Sequence, residues 1–299
     1  MRPAGERLVK FIVNPVSGNG RTRQVLPKLV QLAKKLGMKF DVEITQAPQH
    51  ATELASEHSS EFDIIVAVGG DGTVNEVAAG ALLSGAAMGV IPTGTGNDFI
   101  RAVGRLKNFH DYFQRLIAGK VKPLDVGVLT LKNADLIFVN GIGVGFDAEV
   151  ARESLSVRRL RGLSRYLYSV VRTLYKYKAA QMRIRLDERI LDGKTYLAAI
   201  GNGISAGGGF LLTPNAVLDD GLLDACIVSD VSVPRVIQVI PSVLAGTHAK
   251  HHEVTMTRAK LISVESERPV SIHRDGEVPP ERVDSFEMRI KPRCLNMVV

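Results

Sequence analysis

Over the first 120 residues, short apolar runs alternate with stretches whose apolar positions recur every three or four residues. Residues 8–13 read as a buried strand interrupted by Lys10. Residues 22–36 place Val25, Leu29, Leu32 and Leu36 at helical spacing before Gly37 stops the helix. Strands at 40–45, 64–68 and 87–91 and helices at 51–58 and about 73–83 continue the alternation. Such a β-α succession predicts an α/β domain, a parallel sheet with helices on both faces.

After about Pro123, strand-like segments dominate, at 126–131, 136–140, 182–186, 195–200, 223–228, 254–257, 261–264 and 286–290. In Met182-Arg183-Ile184-Arg185-Leu186 apolar and basic residues alternate as on a half-buried antiparallel strand. The expected division is an α/β domain over 1–122 and a mainly antiparallel β domain over 123–285, with a helical insertion at 155–178.

The 299 residues are 45% hydrophobic and 23% charged, which excludes a disordered chain. Lys plus Arg number 38 against 31 Asp plus Glu, and the net charge of +7 suits a nucleotide, nucleic acid or acidic lipid partner. Cys226 and Cys294 have neither metal-type nor disulfide-framework spacing. No run approaches the ~18 apolar residues of a spanning helix, and the first apolar stretch is too short for a signal core. The expectation is a cytoplasmic protein, with peripheral membrane attachment left open.

The strongest chemical signal is Gly69-Gly70-Asp71-Gly72-Thr73-Val74-Asn75-Glu76, where a strand turns into a helix. Glycines there let backbone N–H groups approach a phosphate, and the helix N-terminus adds partial positive charge. Asp71 makes sense beside phosphate if Mg²⁺ is present. The plain alternative is a strand-turn-helix connection with Thr73 as N-cap. Thr93-Gly94-Thr95-Gly96-Asn97-Asp98 and Asn14-Pro15-Val16-Ser17-Gly18 follow two other strands. In a parallel sheet such loops share the edge where ligands bind. Neither a Walker pattern nor GxGxxG is present.

These three loops resemble the diacylglycerol kinase catalytic domain, shared by bacterial lipid kinases, sphingosine kinases and ceramide kinases. The resemblance extends through Asp125-Val126-Gly127, the run from Asn140 to Asp147, Gly201-Asn202-Gly203, the run from Leu218 to Asp224, and Asp275-Gly276-Glu277. Gly-Gly-Asp-Gly-Thr alone is shared with NAD kinases.

The resemblance implies ATP binding at Asn14, Thr45, Gly70, Asp71, Gly72, Thr73, Val74, Asn75, Glu76 and Thr95. It implies that Asp98 and Asp125 reach Mg²⁺ through water, and that Asp220 with the carbonyls of Val217 and Leu222 forms a structural Mg²⁺ site. A simple turn at Asp219-Asp220-Gly221 is equally allowed. Glu277 matches the family's proton acceptor with Asp275 beside it, and Asp71 matches the acidic residue near the catalytic metal. A carboxylate can take the proton of a lipid hydroxyl as it attacks the γ-phosphate. Asp-Gly also makes an ordinary hairpin turn, and both readings can hold. His273 and Arg274 stand where less polar residues are expected, and Arg274 either binds substrate phosphate or is solvated. The family fold further implies that about 286–299 returns to the first domain, and that the lipid site lies near the interdomain cleft.

Leu163, Tyr166, Leu167, Val170, Val171, Leu174 and Tyr175 have helical spacing, with Arg152, Arg158, Arg159, Arg161, Arg165, Arg172, Lys176 and Lys178 around them. Such a helix either lies on anionic lipid or packs on the β domain. His248, His251 and His252 look like a metal cluster but have only Glu253 as an acidic neighbour. The expected activity is ATP-dependent, Mg²⁺-requiring phosphorylation of a lipid hydroxyl, diacylglycerol or a similar alcohol, at an anionic membrane surface. The alternatives are an NAD kinase and a silent nucleotide- or lipid-binding regulator. A nucleic-acid partner is not expected, because no recognition module is visible. Family members can be homodimers, but no interface signature is visible.

Overall fold

The computed structural model describes residues 2–3, 6–57, 61–132, 134–157, 160 and 162–299, with the side chains of 162, 163, 165 and 166 left aside. The chain divides into two units, 1–125 with 292–299, and 126–291. The sequence reading set these changes at 122/123 and about 286. The changes between these units fall inside single long strands, β5 (Val121–Leu131) and β14 (Val283–Val298), so no linker composition marks them.

In the first unit, β1 (Leu8–Val13), β2 (Lys39–Ile44), β3 (Ile64–Gly69) and β4 (Ala87–Pro92) form a parallel sheet in the order β2-β1-β3-β4. The end of β14 adds to β4 in parallel through Met297 and Met88. The intervening helices are α1 (Arg21–Lys35), α2 (His50–Glu57), α3 (Asp71–Ser84), α4 (Asp98–Val103) and α5 (Phe109–Ala118). Every residue of β3 is buried, as a central strand covered on both faces requires. Lys10 is buried too, and its ammonium lies 2.6 Å from both Asp41 and Glu43 on the neighbouring strand.

The second unit contains β6 (Ala134–Phe138), β7 (Gly141–Gly145), α6 (Phe146–Ser156), α7 (Gly162–Lys176), β8 (Ala180–Leu186) and β9 (Arg189–Gly201). It continues with β10 (Leu223–Ser229), α8 (Val233–Leu244), β11 (Val254–Ala259), β12 (Leu261–Val270) and β13 (Ile272–Arg274). The order β11-β10-β9-β8-β12-β14 is antiparallel throughout, and β7 bridges β9 and β13. The alternation read at 182–186 is real: Met182, Ile184 and Leu186 are buried and Arg183 and Arg185 face solvent.

Three elements differ from the sequence reading. The insertion at 155–178 is two helices, the first beginning at Phe146, because a glycine-rich strand runs directly into it. Helix α5 was not foreseen, nor was α8 in a region read as strands. Pro241 inside α8 argues against a helix there, although Arg235, Gln238 and Ser242 recur at helical spacing.

Candidate functional site

The carboxyl ends of β1, β3 and β4 lie at one edge of the parallel sheet, and their loops interlock there. The Asn14 side-chain amide donates to Thr73 Oγ1 at 3.0 Å, and the Thr93 and Gly94 amides donate to Gly69 O at 2.8 and 3.1 Å. Thr22 and Thr93 share a hydroxyl contact of 2.5 Å. The Gly94 position is so close to Gly70 that a Cβ there would stand 2.4 Å from the Gly70 Cα, so the approach requires glycine. Thr73 is not the N-cap. Gly70 is, and the Thr73 hydroxyl is committed to Asn14.

Asp71 opens α3 and caps α4, accepting the amides of Asp98 at 2.7 Å and Phe99 at 3.3 Å on Oδ1. Its Oδ2 and the Oδ2 of Asp98 converge beside Gly96, at 2.8 and 3.3 Å from where a Cβ on that glycine would sit. The two carboxylates thus face one small cradle with oxygen donors suited to a hard cation. Among the described residues no group of three or more His, Cys, Asp or Glu side chains is arranged to hold a metal. The remaining ligands of an ion here would be phosphate and water, as is usual for nucleotide Mg²⁺.

The other nucleotide candidates are distributed around this edge. The Thr45 amide donates to Val13 O at 2.9 Å. Asn75 is buried, and Thr95 is exposed at the loop tip. Glu76 anchors α2, its Oε2 accepting the Ala51 amide at 3.2 Å. Asp125 is buried and accepts the Arg293 amide at 2.7 Å, tying β5 to the returning terminus.

In the second unit, Arg274 and Glu277 exchange backbone hydrogen bonds of 2.8 Å in both directions across Asp275 and Gly276. Both central residues have positive φ, 47° and 85°, as a tight two-residue hairpin turn demands. The buried Asp275 carboxylate accepts three amides, from Val139 at 2.8 Å, Asn140 at 3.0 Å and Gly141 at 2.7 Å. It therefore fixes the turn rather than presenting a carboxylate to solvent. Glu277 projects from the turn half exposed, its Oε2 accepting from Arg274 at 2.9 Å. The other arm of Arg274 donates to Ile137 O at 3.1 Å.

At the Asp220 loop, Asp220 Oδ1 accepts the Leu222 amide at 3.0 Å, and Gly221 has φ 76°. Arg258 lies 3.6 Å from both Asp220 and Asp224. That guanidinium supplies the loop with positive charge, as Arg101 Nε, 3.7 Å from Asp98 Oδ1, does at the first site. Burial pushes the Asp224 carboxyl up to about 6.

An apolar cavity of about 110 Å³ lies within the second unit, walled by Phe146, Val170, Tyr196, Cys226 and Ile240, with Asp147 and His248 on its surface. Burial pushes the Cys226 thiol up to about 12, so it is inert. The histidines do not cluster: buried His248 faces Leu212 O at 3.1 Å, His251 meets Ser242 at 2.9 Å, and the His252 side chain is exposed. On α7, Leu167, Tyr168, Val171 and Tyr175 are exposed. Arg158, Arg159 and Arg161 lie outside the described residues, as do the side chains of Leu163, Arg165 and Tyr166. No helix among the described residues is long and apolar enough to cross a membrane.

Sequence reasoning missed Thr22 and its bond to Thr93 of the second loop, and the contact of His273 Nε2 with Asp147 Oδ2 at 2.9 Å. Only the glycine-rich run before Asp147 hinted at close packing there.

Two family models match the chain. The diacylglycerol kinase catalytic domain covers residues 8–129, and the YegS C-terminal NAD kinase beta sandwich-like domain covers residues 140–299. The diacylglycerol kinase of Staphylococcus epidermidis (strain ATCC 35984) is 31% identical over 272 residues, 90% of this chain and 85% of that protein. The diacylglycerol kinase of Staphylococcus saprophyticus is 30% identical, over 90% of this chain and 88% of that protein. A crystal structure from Bacillus anthracis strain Sterne superposes with a TM-score of 0.81 at 25% identity, over 100% of this chain and 96% of that one. Yeast NADH kinase, solved with NADH, shares the fold alone, with a TM-score of 0.52 at 12% identity over 97% of this chain and 79% of that one. Fold and matched domains together define an enzyme of the lipid kinase class. The chain belongs to the diacylglycerol kinase family.

Proposed function

We propose that this protein transfers the γ-phosphate of ATP to the hydroxyl of diacylglycerol or a similar lipid alcohol, with Mg²⁺ accompanying the nucleotide. The observation that carries the reading is the convergence of Asp71 and Asp98 beside Gly96, at the edge where three glycine loops meet. Residues Gly70 to Glu76, with Asn14, Thr45 and Thr95 around them, receive the nucleotide, the backbone amides up to Thr73 being those the start of α3 leaves without an intrahelical acceptor. Asp71, with Asp98 through water, would hold Mg²⁺, which would supply neutralisation of the charge on the transferring group. Asp125 also ties its strand to the returning terminus through the Arg293 amide. No step is routed through Val217, Asp220 and Leu222, which would hold a structural ion away from the transferring phosphate.

In the second unit, Asp275 fixes the turn, Arg274 orients Glu277, and the Glu277 carboxylate takes the proton of the attacking hydroxyl. The apolar cavity behind Phe146 accepts part of an acyl chain. The exposed apolar residues of α7, with Arg172 and Lys176, meet an anionic membrane surface.

The test is Mg²⁺-dependent transfer from γ-labelled ATP to a panel of lipid alcohols in anionic mixed micelles, with NAD as a control acceptor. Label on one lipid, lost in Asp71→Ala, is the expected result. Label on NAD alone makes the protein an NAD kinase. ATP binding without transfer to any acceptor makes it a silent binder.

A further inference from the structure

Helix α6 touches the Glu277 hairpin on both of its flanks. On the upstream side, Asp147 in its first turn meets His273 Nε2 at 2.9 Å, both side chains 7% exposed. The other ring nitrogen, Nδ1, faces the Gly276 amide at 3.4 Å. An acceptor at Nδ1 leaves the proton on Nε2, which donates to the carboxylate. Gly143 lies directly across from His273 in the ladder, and a Cβ there would stand 2.2 Å from both partners.

On the downstream side, Arg152 spreads its guanidinium over the strand that leaves the turn. Nη2 donates to Pro279 O at 2.7 Å and Nη1 to Pro280 O at 3.1 Å. Nε donates to Ser271 Oγ at 2.9 Å, so one side chain ties the entry of the hairpin to its exit. Ser271 in turn donates to Glu149 on the same helix at 2.9 Å, and Arg282 lies 3.0 Å from that carboxylate. Prolines have no N–H with which to join a ladder, so side-chain donors do the holding.

We infer that α6 is the brace of the general base: Arg152 and Asp147 are positioning residues that hold the Glu277 turn from its two flanks. The inference rests on the reading of Glu277 as base. Phe146 and Asp147 also line the apolar cavity, so the element that contacts the lipid chain is the element that holds the base. Three donors in a planar fork are used at Arg152, a geometry that a lysine cannot reproduce.

The test uses the full chain and the variants Arg152→Ala, Arg152→Lys and Asp147→Asn, with the exposed pair member Arg289→Ala as a control. Expected for both Arg152 variants is a fall in kcat of roughly tenfold or more, with the KM for ATP within about twofold. Millimolar guanidinium should partly restore Arg152→Ala. Hydrogen exchange at the Arg274 and Glu277 amides, measured without substrate, should quicken at least about tenfold in Arg152→Ala and Asp147→Asn. Unchanged exchange with unchanged kcat overturns the inference, even if thermal stability falls. If the wild-type chain phosphorylates no lipid, the reading of Glu277 fails while the exchange data still decide whether α6 is the brace. If Arg152→Ala does not fold, Arg152→Lys carries both readouts.

Discussion

The Oδ1 of Asp71 accepts the amide hydrogen of Asp98 at 2.7 Å, so one carboxylate both starts the helix after β3 and caps the helix after β4. Structure and chemistry can be separated there. Asp71→Asn keeps an acceptor and should unfold within ~1 kcal/mol of wild type, whereas Asp71→Ala loses the cap and should cost about 1 kcal/mol. Both should lose about 100-fold or more of phosphoryl transfer, because both lack the charge beside Asp98. Denaturant titration and the transfer assay give the two readings.

Glu277→Gln keeps the shape of the turn and removes the proton acceptor. Transfer should fall by about 10²–10⁴, with ATP·Mg²⁺ affinity unchanged by calorimetry. Full activity would remove Glu277 from the mechanism.

Asp275 is the structural half of the same motif. Asp275→Asn turns one accepting oxygen into a donor against backbone amides of the 139–141 segment. The loss should be about 2–4 kcal/mol in urea unfolding. A shift below 0.5 kcal/mol would show that the three bonds contribute little.

Gly143→Ala drives a methyl into the contact between Asp147 and His273, and should cost about 1–3 kcal/mol or more. Gly193→Ala, where no atom stands within 4 Å, should stay within about 0.5 kcal/mol. Melting temperatures of the pair provide the comparison.

Asp224 makes stability depend on pH. Its carboxyl sits at about 6 in the folded protein, above the 3.8 of an ordinary aspartate. The folded state therefore holds a proton that the unfolded chain has already released, and stability declines as pH rises from about 4 to about 6. The contribution is on the order of 1–3 kcal/mol. Asp224→Asn should flatten that slope and leave the protein more stable above pH 7, as measured by urea unfolding across pH.

The parallel sheet and its ligand edge were legible because each buried strand is a short apolar run closed by a glycine loop, and strand direction then fixes which loops meet. The hairpin at Asp275-Gly276 was legible for the same local reason, since only a few residue types tolerate two positive φ angles. Helix α8 was not, because Pro241 stands inside it, although Arg235, Gln238 and Ser242 recur on one helical face.

The sequence by itself determined the β-α alternation of the parallel sheet, the glycine loops and the identity of the carboxylates, all of which depend on backbone conformations over a few residues. The tertiary structure alone decided what those carboxylates do. Asp71 and Asp275 both look like acids placed for chemistry. Contacts made 27 and about 135 positions away leave Asp71 facing Asp98 and bury Asp275 on three amides. Arg152 counted in the sequence as one basic residue of a charged helix. Only folding brings Pro279 and Pro280 within its reach, because hydrogen-bond partners so distant in sequence are chosen by packing rather than by local propensity.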